Sequence, residues 1–204
     1  MYAAIVVFFA SIVGVNSLSI HKRSCSVTID SDFAVNKFLG DWYMLKRKPT
    51  GAKKISVDKY AWHVTKGTGN TLNIRQTGRL TIEGVYRPCF NKTATLTPGV
   101  NNGEFLWRSN TAVSRADIEV IKIDEGLAYI DMCVPSKSRG KCGSFVLSRD
   151  DSPSEQEVRT MDAGINSELC EDSSKFENLI KPDVESNMSI VWSLTQLFTV
   201  IIGL

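Results

Sequence analysis

The sequence predicts an all-β chain: an eight-stranded up-and-down antiparallel barrel with one C-terminal α-helix packed outside. Three observations predict it. Short runs rich in β-branched and aromatic residues fill the middle of the chain, separated by Gly, Asn and Pro turn signals at hairpin spacing. Eight such runs are enough to close a barrel, which removes exposed sheet edges and leaves room for one small ligand. A single helix signal follows the last run: Ser152-Pro153-Ser154-Glu155 reads as a capping box with proline at the first helical position.

The first strand is expected from Trp42 to Lys48, after a short helical turn, and Pro49-Thr50-Gly51 ends it. Ile55 to Thr65 alternates and stops at Lys66-Gly67-Thr68-Gly69-Asn70, and Thr71 to Gln76 is the third strand. Leu80 to Thr97 reads as one long fourth strand, turned by Pro98-Gly99 and Asn101-Asn102-Gly103. Glu104 to Arg108, Ile118 to Ile123, Leu127 to Val134 and Ser144 to Ser148 complete the eight. The helix is expected to run to about Ala163, with Gly164 ending it.

Both ends read as processing signals. Residues 1–17 form a short apolar leader with small residues before a cleavage point, the pattern of a secretory signal peptide. Residues 188–204 are an apolar terminus too short for a comfortable membrane span and without a basic flank, which matches a GPI-attachment signal. Asn187 is the preferred attachment residue, with Ser186, Ser173 and Ser174 as alternatives. Residues 18–170 are then the barrel and helix, a single domain by size. Residues 171–187 are polar and acidic without a period and read as a stalk. The expected location is extracellular, at the cell surface through the lipid anchor.

Composition excludes several functions. A net charge of +2, with basic residues scattered among acids, gives no electrostatic footprint for nucleic acid. His21 and His63 have no Cys or carboxylate neighbours at ligand spacing, so no metal site is expected and His63 reads as a strand residue. No nucleotide, hydrolase or metalloprotease motif is present, and no cofactor or catalytic residue is expected. Asn91-Lys92-Thr93 is an acceptor for N-glycosylation at Asn91.

Asn36-Lys37-Phe38-Leu39-Gly40-Asp41-Trp42-Tyr43 opens the first strand with a Gly-x-Trp-Tyr unit. Asp124-Glu125-Gly126-Leu127-Ala128-Tyr129 follows the sixth strand, and Phe145-Val146-Leu147-Ser148-Arg149 closes the eighth. In this order, with a capped helix after them, the three stretches resemble the motifs of the lipocalins over residues 33–170. The second is degenerate, since only Asp124 and Tyr129 match. The run around Gly40 and the anchor-like tail are closest to the apolipoprotein D and Lazarillo-like extracellular members. The resemblance implies that Trp42 plugs the closed end of the barrel and that Arg149 lies over its face. It also implies two disulfides, Cys89–Cys170 and Cys25–Cys133, which leave Cys142 free. A rival pairing, Cys133–Cys142, would clamp the hairpin around 135–140. One lipocalin-like enzyme uses a cavity thiol, but Cys142 has no visible activating base, so a non-enzyme is expected.

Strand parity supplies the candidate ligand-binding residues: Met44 and Lys46 share the Trp42 side, and Phe145 and Leu147 share the Arg149 side. Tyr60, Trp62, Tyr86, Phe105 and Trp107 are the aromatics that would line the cavity, and Lys46 would meet a ligand carboxylate. The leading expectation is an extracellular carrier or sequestrant of a small hydrophobic molecule such as a fatty acid, retinoid, sterol or pigment. The alternative is a cell-surface recognition protein whose partner docks on the loops at 111–115 and 135–141.

Overall fold

In a computed structural model the strand runs close into the expected ring. The structure describes residues 26–30, 32–49, 55–82, 85–110, 115–134 and 141–179. The leader, Cys25, most of both expected contact loops, Asn187 and the anchor signal lie outside the described residues. So does the Tyr86 side chain. In chain order the elements are α1 (Val35–Phe38), β1 (Gly40–Arg47), β2 (Ile55–Lys66), β3 (Leu72–Ile82), β4 (Val85–Pro98), β5 (Glu104–Ser109), β6 (Arg115–Asp124), β7 (Leu127–Val134), β8 (Lys141–Ser148), α2 (Glu155–Ser167) and β9 (Glu177–Asn178). Each strand from β2 to β8 pairs with the next, and β1 pairs with both β8 and β2 to close an eight-stranded antiparallel ring. The short β9 bonds to Lys46 and Arg47 outside that ring.

The third and fourth strands divide differently from expectation. β3 extends to Ile82, and its register with β4 pairs Ile82 with Val85, so Leu80 to Ile82 belong to β3. In the sequence only Glu83 and Gly84 interrupt the β formers from Leu80 to Tyr86, which is a weak turn signal.

Two apolar clusters hold the fold. Trp42, Trp62, Trp107, Tyr60, Phe38, Leu72, Ile74, Leu96 and Ile118 fill the barrel interior. Outside it, Met161, Ile165 and Leu169 pack on Leu45, Ile121, Leu127, Tyr129 and Val146. Burying a side chain of this size stabilises by about 1.5–3 kcal/mol.

The helix is capped two residues later than its sequence suggests. Ser154 is the N-cap: its hydroxyl accepts from the Glu157 amide, and Glu157 returns the bond to the Ser154 amide. Gly164 does not end the helix but sits inside it, because a β-carbon there would overlap the Tyr129 phenol. Tyr129 therefore docks the helix by packing under its one glycine, a relation no local signal carries.

Residues 171–179 are not a stalk. They form a single 3-10 turn, Ser173–Lys175, and then β9, with Phe176 and Leu179 buried. The Leu179 amide donates to the Leu45 carbonyl at 2.8 Å, and Lys48 pairs with Glu171 at 2.7 Å. A polar sequence without a period conceals this, because two apolar residues suffice to anchor it.

The disulfides follow the rival pairing. Cys133 is bonded to Cys142 across the β7–β8 ladder, where the two are register partners with α-carbons 4.0 Å apart. Neither Cys25–Cys133 nor a free Cys142 is therefore correct. Cys170 is disulfide-bonded, and Cys89 is the free thiol among the described residues, which overturns Cys89–Cys170. Cross-strand neighbours bring sulfurs together without moving backbone, whereas Cys89 lies in a different region of the sheet.

Candidate functional site: the barrel interior

The floor of the barrel is built from backbone groups left over where α1 ends. The last carbonyls of a helix have no intrahelical partner. Here Arg149 supplies one: its guanidinium donates to the carbonyls of Lys37 at 2.8 Å, Leu39 at 2.6 Å and Asp41 at 2.8 Å. The same group lies 3.7 Å from the centroid of the Trp42 ring, a cation–π contact of about 0.5–2 kcal/mol. The Trp42 indole donates to the Phe38 carbonyl at 2.8 Å. Gly40 has φ +98°, and a β-carbon there would come within 3.0 Å of the Arg149 guanidinium, so the motif glycine serves both backbone and contact. Phe38, packed against Trp42, Trp62, Phe33 and Phe105, closes the end. Asp124 begins the turn into β7, whose residues Glu125 and Gly126 both have positive φ, and the Gly126 carbonyl accepts from the Arg149 amide at 2.9 Å.

Above the floor the inner wall is apolar and aromatic. Met44, Tyr60, Trp62, Phe105, Trp107, Phe145 and Leu147 all belong to the interior cluster. Phe105 sits at the floor against Phe33 and Phe38, and Tyr60, Trp62, Phe90 and Phe145 form a linked aromatic group that meets the floor where Trp62 touches Phe38. A cleft of about 10 Å³ opens between Met44, Arg47, Met132 and Phe145.

Lys46 is the exception. Leu45 is an extra residue in the pairing of β1 with β8, a bulge that shifts the parity of everything after it. Leu45 and Lys46 both face α2, where Lys46 forms an ion pair with Asp162. Arg47 takes the inward side instead, near Met44 and Phe145, and also pairs with Glu177 of β9. The role proposed for Lys46 toward a ligand is therefore excluded by its position.

Two polar residues that sequence reasoning passed over lie on the inner wall. Gln76 is a register partner of Trp62 on one side and of Lys92 on the other. The three form one row across β2, β3 and β4. Lys92 is flanked by the interior residues Phe90 and Ala94 and is only 8% exposed; Gln76 is 5% exposed. Burial lowers the Lys92 ammonium below its ordinary value. Burial pushes the Tyr60 phenol well above its own, with the Trp62 indole and the Arg47 charge opposing this in smaller part. The Trp62 Nε1 is buried and completes no hydrogen bond among the described residues; it approaches the Tyr60 oxygen without closing a bond of normal geometry. The alternation Phe90-x-Lys92-x-Ala94-x-Leu96 carries the signal that places Lys92 inside.

The outer face of β2–β4 has a different character. A groove of about 490 Å³ is lined by His63, Thr65, Asn73, Arg75, Thr93 and Asn110. His63 pairs with Asp41 at 2.6 Å, and Asn110 donates to the Thr93 hydroxyl at 3.3 Å. Asn91 is exposed on this face.

A ring of eight antiparallel strands, one helix outside it and one strand bonded beyond the ring is the lipocalin fold. Solved structures bear this out: apocrustacyanin C1 matches with a TM-score of 0.55 at 16% identity, over 73% of this chain and 80% of that one. Lobster apocrustacyanin A1 gives 0.54 at 16% identity over 72% and 79%. The cockroach allergen Per a 4 gives 0.55 at 15% identity over 76% and 94%. No family model and no curated protein matches the sequence.

Proposed function

We propose that this chain is an extracellular, non-enzymatic binding protein that holds a small hydrophobic molecule inside the barrel, in the manner of the apolipoprotein D-like lipocalins. The observation that supports this best is the contrast between a sealed floor at Trp42 and Arg149 and an apolar wall above it. Such a wall, with few polar groups, suits fatty acids, retinoids, sterols or pigments. Met44, Tyr60, Trp62, Phe145 and Leu147 are the proposed contacts, with Phe105 and Trp107 completing the lining among the described side chains. Native mass spectrometry of the purified protein tests the reading: a co-purifying apolar mass supports it. Added fatty acid or retinoid should quench tryptophan fluorescence, and failure of every such probe overturns it.

The proposal includes secretion through the leader at 1–17, a glycan on Asn91 and tethering through a lipid at Asn187. Phospholipase C specific for phosphatidylinositol should release the protein from cells; retention would exclude the anchor. A glycosidase-sensitive mass lost in Asn91→Gln would establish the glycan.

A second reading is recognition of a cell-surface partner with the barrel as scaffold. The polar groove on the outer face of β2–β4 favours it. Substitution of Arg75 by Glu would weaken partner binding under this reading and leave ligand quenching unchanged under the first.

A further inference from the structure

We propose that ligand passes into and out of the barrel through its side, between β1 and the upper part of β2, and that the β9 strand is the movable piece that closes this route. This rests on the reading of the interior as a ligand cavity and adds how that cavity is reached.

The ring is zipped unevenly at this seam. β1 and β2 are register partners at four places near the floor, from Gly40–Val64 to Tyr43–Ala61. Beyond them β2 extends to Ile55, but Ile55 to Asp58 pair with β3 and, among the described residues, with nothing on β1. The cause lies in β2 itself. Its register with β3 slips between Asp58 and Ala61, and Lys59, inside the slip, has φ +49°. A bulge bends the strand that carries it, and here it parts β2 from β1 above Tyr43.

The edge that β2 leaves is taken by β9. At Lys46 and Arg47 one edge of β1 is held by Val146 and Phe145 of β8. Asn178 and Glu177 therefore pair with the opposite edge, which β2 holds lower down. Alternation puts Glu177 and Leu179 on one face of this strand and Asn178 on the other. Leu179 belongs to the interior cluster with Trp42, Met44 and Tyr60, whereas Asn178 is exposed. Glu177 reaches Arg47, which lines the small cleft beside Met44 and Phe145. A leucine from beyond the ring thus completes the interior where the wall has parted.

Little fastens that leucine. The strand has two register pairs with β1, one bond from the Leu179 amide to the Leu45 carbonyl at 2.8 Å, and the Arg47–Glu177 ion pair. Glu177 is partly solvated, which keeps the contribution of that pair small. Segments held by so few bonds open locally without unfolding the whole domain. The near end is fixed better: Phe176 packs in the cluster of Met161, Ile165 and Leu169, and Glu171 pairs with Lys48. The strand can therefore swing from Phe176 while α2 stays docked. Opening withdraws Leu179 from the interior, and closing returns it, so one side chain both bars entry and retains what has entered.

The test follows a fluorescent polyene fatty acid and retinol by stopped-flow tryptophan quenching, using the full chain with Cys89→Ser to remove its free thiol. Lys46→Cys with Asn178→Cys joins two register partners by a disulfide on the face away from the interior. Once oxidised, this tether should slow entry and release about tenfold or more relative to either single-cysteine chain, with affinity within about twofold. Leu179→Ala should quicken both about tenfold, and Leu179→Met should leave them near their original values. Glu177→Gln should quicken them about twofold. Circular dichroism confirms that each variant is folded, and Leu179→Val replaces Leu179→Ala if the latter is not. Entry and release rates that the tether leaves unchanged overturn this inference and leave the carrier reading intact. No binding of either probe to any of these chains overturns the carrier reading and this inference with it.

Discussion

The floor of the barrel and the wall above it both contain a fully buried tryptophan, yet the two indoles are treated differently. Trp42 donates to the Phe38 carbonyl, and Arg149 covers its ring while satisfying three further carbonyls. Trp62, its register partner in β2, is equally buried but approaches the Tyr60 oxygen without completing a hydrogen bond of normal geometry. A polar group whose bonds are complete inside the protein stabilises the fold. One whose bonds are incomplete costs stability until something else supplies the partner. The pair separates an indole whose bond the fold completes from one whose bond it leaves incomplete.

Substitutions can break this contrast. The largest effect is expected from Trp42→Ala, which removes the floor and should destabilise by about 3–5 kcal/mol in denaturant titration. Arg149→Lys keeps the charge but not the planar fork, so it should cost about 1–3 kcal/mol by the same measurement. Trp42→Phe and Trp62→Phe sharpen the comparison directly. Both remove the same atoms from buried sites, but only the first leaves a carbonyl without its donor. Trp42→Phe should therefore be the more destabilising by about 1 kcal/mol, and equal losses would contradict the assignment.

The smallest effect is on alkaline stability. Burial raises the phenols of Tyr60 and Tyr129, Tyr129 to about 12. Above the ordinary phenol value of 10.0 the unfolded chain releases protons that these two residues keep in the fold. The unfolded state then binds fewer protons, so their contribution is complete below that pH and falls as pH rises through the window. Phenolate absorbance should show both ionising later than free tyrosine, and early ionisation of Tyr129 would place its ring outside the helix contact.

Much of the fold was legible because strand signals are local. β-branched and aromatic runs, turn residues and a capping sequence need only neighbours, and they place eight strands and a helix in order. The Trp42–Arg149 pair was reachable through the flanking motifs. The candidate site was legible in part. Parity placed Met44, Phe145 and Leu147 inside, and it would have placed Lys92 there as well. It failed for Lys46, since one extra residue at Leu45 reverses the faces beyond it and a bulge leaves no mark in the sequence. The cysteines failed for a related reason: pairing depends on which strands face each other, and register made Cys133 and Cys142 neighbours.

The sequence alone determined that this chain is an eight-stranded barrel with a capped helix, because periodicity and punctuation are written residue by residue. Tertiary structure decided what faces the interior, how Gly164 receives Tyr129, how residues 171–179 fasten to β1, and that Trp62, Gln76 and Lys92 share one row. Each of these depends on the alignment of strands far apart in the chain, and ring closure fixes that alignment by packing the whole interior at once.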